Sequence, residues 1–501
     1  MTLVKQKAQN SRWNEWPPPL KGAGGMTTRS SIPILKTKNA MLALFSILES
    51  LSAESLRALD KFMRSPYHVT HSEVLRLYEF LRAHPEARDQ SKAQMASTLF
   101  SEEPDPVRRL YHVSNYLMEA LEQFLALELQ AERTHERNIA TVESLRRLRL
   151  HETGTAMLRY TRRKLEADAL RGADFHRADY LLQLESYHLS LQQGRSKNSN
   201  VQDLSSAQDV AMIIDKLRTG CILLSHEAVT KQNYDKGLVN MMLAFLDGHP
   251  YLEIPAVAVY YHGYFAQSGE QGDFHFQRLK SLLQQYGNCF SKAEIHDLYL
   301  MAINFCIRRI NLAEEGYYRA IFELYQSGLE RGALLEDGTL SRWTYNNITM
   351  TGLRLGEFEW TQQFITDYAR FLPLNHREAA YHFNLSRYFY DTGDYRQAMQ
   401  HLLRMEYDDV LQNLQAKVML AKIYFEQEEM NALENQLDSI QIYIRRKKVL
   451  GYHKDNYTAI VFFMRKLLSV NMNNSKEVLL LRNRIDEASV LTEREWLLKQ
   501  L

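Results

Sequence analysis

The chain has 501 residues, and its 61 lysines and arginines nearly balance 60 aspartates and glutamates, for a formal net charge of +1. That balance removes the global pull toward nucleic acid or an anionic membrane, so binding to either would need a local patch. Average usage would give about 35 glycines and about 25 prolines; the 21 and 11 present argue against a fold of short strands and many turns.

The three cysteines, Cys221, Cys289 and Cys306, are an odd number with no CxxC pair, which points to reduced thiols rather than a disulfide framework. No run approaches 18 apolar residues and the N-terminus lacks the apolar core of a signal peptide. The expectation is a cytoplasmic protein with no membrane segment.

Residues 1–39 are polar, with Pro17, Pro18 and Pro19 followed by Gly22, Gly24 and Gly25. Such a stretch buries too little apolar surface to offset its ordering entropy and reads as a disordered leader. Structured sequence begins near Met41, so Met26 and Met41 are candidate starts.

Residues 40–132 read as a helical cap. Leu44, Phe45 and Leu48 open it at helical spacing, then Leu56, Leu59 and Phe62 up to the stop at Pro66, then Val74, Leu75, Tyr78 and Leu81. Asp105 followed by Pro106 supplies an N-cap oxygen and a preset φ. The long helix they open carries Leu110, Val113, Leu117, Leu121 and Phe124 on one stripe. An alternative is a DNA-binding helix-turn-helix, which would make the protein a transcriptional regulator with a repeat sensor domain. Against it, His112, Asn115 and Glu119 are poor equipment for phosphates and bases.

Residues 133–252 form a region of helical pairs. It opens on an arginine-rich tract (Arg146, Arg147, Arg149, Arg159, Arg162, Arg163 and Lys164), which would suit an acidic partner or RNA but is diluted by Glu143, Glu152, Glu166 and Asp168. A polar break from Gly194 to Ser205 precedes a helix with Val210, Ile213, Ile214, Leu217 and Cys221 on one side, so Cys221 reads as packing material.

Residues 253–501 carry the clearest organisation. One helix is apolar on two faces, with Ile295, Leu298, Ala302, Phe305 and Cys306 on one and Leu300, Ile303 and Ile307 on the other, as in a helix sandwiched between neighbours. From Leu340 to Ile440 one helical pair is then written three times. The first copy reads Ile348, Thr349, Gly352, Gly356, Phe358, Thr361, Ile365. The second reads Leu385, Ser386, Phe389, Gly393, Tyr395, Ala398, Leu402, Met405. The third reads Leu420, Ala421, Tyr424, Glu428, Met430, Leu433, Leu437. The turn positions Gly356, Gly393 and Glu428 stand 37 and 35 residues apart, close to a helix-turn-helix unit of ~34 residues.

This pattern resembles the tetratricopeptide repeat (TPR), with the best match over Tyr381 to Asp408. It departs from that family where Tyr345, His382 and Lys417 replace the first-helix tryptophan and where Glu428 replaces the turn glycine. The resemblance implies an all-α fold: a right-handed α-α superhelix, a TPR-like solenoid with a helical N-terminal cap. The final segment, TEREWLLKQL, suits a terminal capping helix with Thr492 as N-cap.

No HExxH, GxSxG, GxxxxGK[ST] or GxGxxG motif occurs, and the 17 histidines show no paired ligand spacing. The expectation is a non-enzyme with no cofactor and no metal. In TPR arrays the first helix of each unit lines a concave face. Carried onto this chain residue by residue, the resemblance places the groove positions at Trp343, Asn346, Asn347 and Met350; at Phe383, Asn384, Arg387 and Tyr390; and at Val418, Met419, Lys422 and Phe425. Amides hold an extended backbone and Arg387 and Lys422 pair with carboxylates. The sequence therefore points to a scaffold or adaptor that binds a protein or peptide segment, with its oligomeric state left open.

Overall fold

The computed structural model of the chain describes residues 40–192, 199–230, 232–269, 271–312, 314–404, 410–446 and 453–501. The expected leader, residues 193–198 of the polar break and Met405 of the second repeat lie outside them. The described residues form 23 α-helices and one two-stranded hairpin, so the chain is all-helical, as its composition predicts. They divide into two compact units, between Arg137 and Asn138.

The first unit holds α1 (Ala40–Ser50), α2 (Ala53–Met63), α3 (Ser72–Ala83), α4 (Lys92–Leu99) and α5 (Pro106–Glu132). Local chemistry sets the starts of these helices. Ser52 accepts from the Ser55 amide at 3.1 Å, Ser91 and Gln94 form a reciprocal capping box, and Asp105 accepts from the Arg108 amide at 3.0 Å ahead of Pro106. The α5 stripe Leu110, Val113, Leu117, Leu121 and Phe124 is buried in one core with Leu44, Phe45, Leu77 and Tyr78. Each such side chain contributes about 1.5–3 kcal/mol on leaving water.

The boundary between the units falls within α6 (Thr134–Arg147), and the second unit continues with α7 (His151–Ala167), α8 (Ala173–Gln192), α9 (Val201–Thr230), α10 (Val239–Leu246), α11 (Pro255–Ser268), α12 (Gly272–Tyr286), α13 (Lys292–Asn311) and α14 (Tyr317–Glu330). A hairpin, β1 (Leu335–Glu336) with β2 (Thr339–Leu340), comes next. Then follow α15 (Arg342–Arg354), α16 (Phe358–Tyr368), α17 (Leu374–Asp391), α18 (Tyr395–Leu403), α19 (Val410–Glu426), α20 (Met430–Arg446), α21 (His453–Ser469), α22 (Ser475–Asp486) and α23 (Arg494–Lys499). Helices adjacent in sequence pack as neighbouring pairs, α11 on α12, α13 on α14, α15 on α16, α17 on α18 and α19 on α20. This arrangement is compatible with a helical repeat array.

The residues that carry the sequence repeat sit where helices cross or turn. Ser386, Ala398 and Ala421 have no exposed surface, and a Cβ on Gly352 would collide with the Thr361 hydroxyl of the paired helix. All three turn positions are left-handed, with φ of 73° at Gly356, 83° at Gly393 and 59° at Glu428. Glycine meets that requirement without a steric penalty and glutamate does not.

Upstream, α13 buries its first expected face, Ile295, Leu298, Ala302, Phe305 and Cys306, whereas of the second face Ile303 is buried and Leu300 and Ile307 are half-buried. Cys221 lies 3.6 Å from the Tyr260 carbonyl, and it and Cys306 are buried while Cys289 is half-buried. Burial pushes both sealed thiols up, Cys306 to about 12. Glu294, also buried, reaches from the first turn of α13 to the first amide of α8.

Three local expectations differ from the structure. The helix after the polar break starts at Val201, ahead of Ser205, because the segment from Val201 already carries helical hydrogen bonds. Thr492 does not cap the last helix; α23 begins at Arg494, after Glu493 in a left-handed conformation with no side-chain cap. The hairpin before α15 was not expected. It turns through Asp337 and Gly338, both at positive φ, and an Asp-Gly pair is the sequence signal for such a turn.

Candidate functional site

A cavity of about 900 Å³ opens in the second unit. The first helices of successive pairs supply much of its wall: Met350 and Arg354 from α15, Arg387 and Tyr390 from α17, Val418, Met419 and Lys422 from α19, and Tyr457 from α21. They converge there because α15 packs on α17, and α18 packs against both α17 and α19. The opposite wall is the chain's own C-terminal segment, including Glu493, Glu495 and Trp496.

Of the twelve groove positions named from sequence, six therefore line one cavity: Met350, Arg387, Tyr390, Val418, Met419 and Lys422. The other six lie elsewhere. Phe383 and Asn384 are fully buried, and Asn384 donates to Asn346 at 2.6 Å and to the Ala380 carbonyl at 2.8 Å. Trp343 is 56% exposed beneath the Arg342 guanidinium, Asn347 is exposed, and Phe425 meets Trp496 edge-on at 5.4 Å.

Three cations mark the first helices: Arg354 in α15, Arg387 in α17 and Lys422 in α19, spaced 33 and 35 residues apart. Lys422 donates to Glu493 at 2.7 Å and stands over the Tyr390 ring at 4.6 Å. Arg354 forms a two-point pair with Glu495, one contact at 3.1 Å, and that pairing holds the Glu495 carboxyl below its usual range. Arg387 lies over the Phe383 ring at 4.6 Å, and no described side chain takes a hydrogen bond or ion pair from it. Desolvation pulls its pKa down, with Glu493 and Asp391 opposing from a distance.

Glu426 is the acceptor at the far side. It receives the Tyr390 and Tyr395 hydroxyls at 2.9 Å each and the Trp496 indole N–H at 2.7 Å. Burial pushes its carboxyl up, but these three donors and Lys422 outweigh burial and hold it below the usual range. Sequence reasoning missed Arg354 and Glu426. Arg354 was legible in principle, since it stands about one repeat before Arg387, whereas Glu426 has no periodic counterpart. Such a site can hold a segment by charge and aromatic contact.

Elsewhere some of the cations are matched. Arg64, Arg82, Arg88 and Arg109 of the first unit each pair with a carboxylate. In the arginine tract, Arg146 forms a two-point pair with buried Glu185 at 2.7 and 3.1 Å, and Arg147 pairs with Glu143. No helix among the described residues is long and apolar enough to cross a membrane.

No protein-family model, no curated protein and no solved structure matches this chain.

Proposed function

We propose that the protein is a TPR-like scaffold, its paired helices stacked as a right-handed superhelix, and that it holds a segment of a partner protein against the first helices of α15, α17 and α19. The observation that carries the reading is the convergence of Arg354, Arg387 and Lys422 on one cavity, each from the first helix of a different pair. Backbone-spaced cations with aromatic rings beside them bind an extended chain through charge-assisted hydrogen bonds and apolar contact. Nothing in the binding step calls for a cofactor.

The test is affinity capture by the full chain from its native cell, alongside an Arg387→Glu variant, with identification of what co-purifies. Capture of a partner by the first and not the second, at equal helical signal and melting temperature, is the expected result. A partner retained by both places the binding surface elsewhere. A DNA-binding role for the first unit would show duplex affinity falling steeply with added salt.

A further inference from the structure

Each repeat contributes one cation to the cavity, but the three are not in the same state. The outer two, Arg354 and Lys422, are neutralised by Glu495 and Glu493 of the C-terminal segment. Arg387, between them, has no carboxylate within hydrogen-bond distance among the described residues. Arg387 is half-buried on the cavity wall and feels Glu493 and Asp391 only from beyond hydrogen-bond range, so an arriving carboxylate that reaches it gains a direct charge-assisted contact.

Resting on the groove reading above, we propose that the partner is an acidic protein segment whose carboxylates take Arg354, Arg387 and Lys422 together, and that residues Thr492–Glu495 are its internal competitor. The chain's own occupant shows the chemistry that fits: two carboxylates two residues apart, followed by an indole that lies against Phe425 and donates to Glu426.

The occupant is also built to yield. Glu493 holds a left-handed backbone at φ 58°, which disfavours a residue with a side chain. The Glu495 side chain is 67% exposed and that of Glu493 38%, so water reaches both carboxylates and screens their ion pairs. The helix that follows has six residues, too few to persist without its anchors. Trp496 and Leu497 are buried and keep the segment tethered beside the cavity while the two glutamates exchange. An acidic segment that fills all three cations gains the Arg387 contact that the chain's own segment lacks.

The test uses the full chain and a Glu493→Gln/Glu495→Gln variant, which frees the outer cations and keeps side-chain volume. The probe is a fluorescent decapeptide with glutamates at alternate positions and one tryptophan, with its all-glutamine counterpart as control. The variant should bind the acidic peptide about tenfold tighter than the unaltered chain, and adding Arg387→Gln should remove about the same factor. Added salt should weaken the complex. In the unaltered chain, saturating acidic peptide should speed amide hydrogen exchange over residues 492–495, a readout independent of the variants' folding.

Equal binding of the glutamine peptide, or no gain in the variant together with unchanged exchange in the unaltered chain, overturns the proposal. Of these, tight binding of the glutamine peptide that Arg387→Glu abolishes leaves the groove reading standing. Binding of neither peptide, with partner capture indifferent to Arg387→Glu, removes both. A variant that dimerises in light scattering assigns the freed cations to a second copy's C-terminal segment, and the partner proposal falls.

Discussion

The carboxylate of Glu294 closes the start of a helix 121 residues away, accepting the Ala173 amide through its two oxygens at 3.1 and 3.3 Å. The same group accepts the Tyr260 hydroxyl at 2.9 Å, so one side chain joins α8, α11 and α13. A Cβ on Gly172 would overlap it. Glu294→Ala strands two buried donors and should lower stability by about 2–5 kcal/mol in urea unfolding. Gly172→Ala should act in the same direction by displacing the carboxylate. Unchanged midpoints in both would mean that another acceptor replaces it.

The crossing of α17 and α18 depends on Ala398, which has no exposed surface and packs in one cluster with Phe383 and Leu402. Ala398→Leu forces extra methylenes into that contact and should cost about 1–3 kcal/mol. A chevron or equilibrium denaturation series measures the loss, and its absence would place the crossing at another residue.

Glu428 occupies a turn that the two preceding repeats assign to glycine. Replacing it by glycine relieves a left-handed backbone and should raise stability by up to about 1 kcal/mol, less whatever the more flexible unfolded chain takes back. The reciprocal change, Gly393→Ala, should lose about 1 kcal/mol. Opposite shifts in the two variants are the expected pattern of melting temperatures.

His262 and His275 share a hydrogen bond between their Nδ1 atoms at 2.9 Å. Burial pushes His262 down to about 4, with His275 and Arg278 adding to the effect, and burial lowers His275 as well. An unfolded histidine titrates near 6.5, so on acidification the unfolded chain takes up these protons first. The stability of the neutral pair is therefore complete above about pH 6.5 and is lost as the pH falls toward 4. Urea midpoints at pH 7.5 and 5.0 should separate more in the native chain than in a His262→Asn variant.

Much of the C-terminal half was legible because tight geometry restricts residue choice. Gly393 is needed where the backbone turns left-handed, Ser386 and Ala398 where two helices touch, and these constraints recur at the interval of the fold. Cys221 and the first face of α13 were legible through helical period. The site was only half legible. Arg387 and Lys422 follow the repeat, but Phe383 and Asn384 are buried beneath the cavity wall: their periodic positions are filled by packing with neighbours that the repeat pattern does not describe. Glu493 and Glu495 were invisible as groove residues, because a charged terminal helix looks alike whether it faces solvent or turns back on the array.

The sealed sulfurs of Cys221 and Cys306 give the chain a native stopwatch. An alkylating reagent reaches half-buried Cys289 directly but meets the other two only when α9, α11 and α13 part, and their raised pKa values keep them as unreactive thiols until then. The lag between the first labelled sulfur and the next two times the breathing of this core without any introduced reporter.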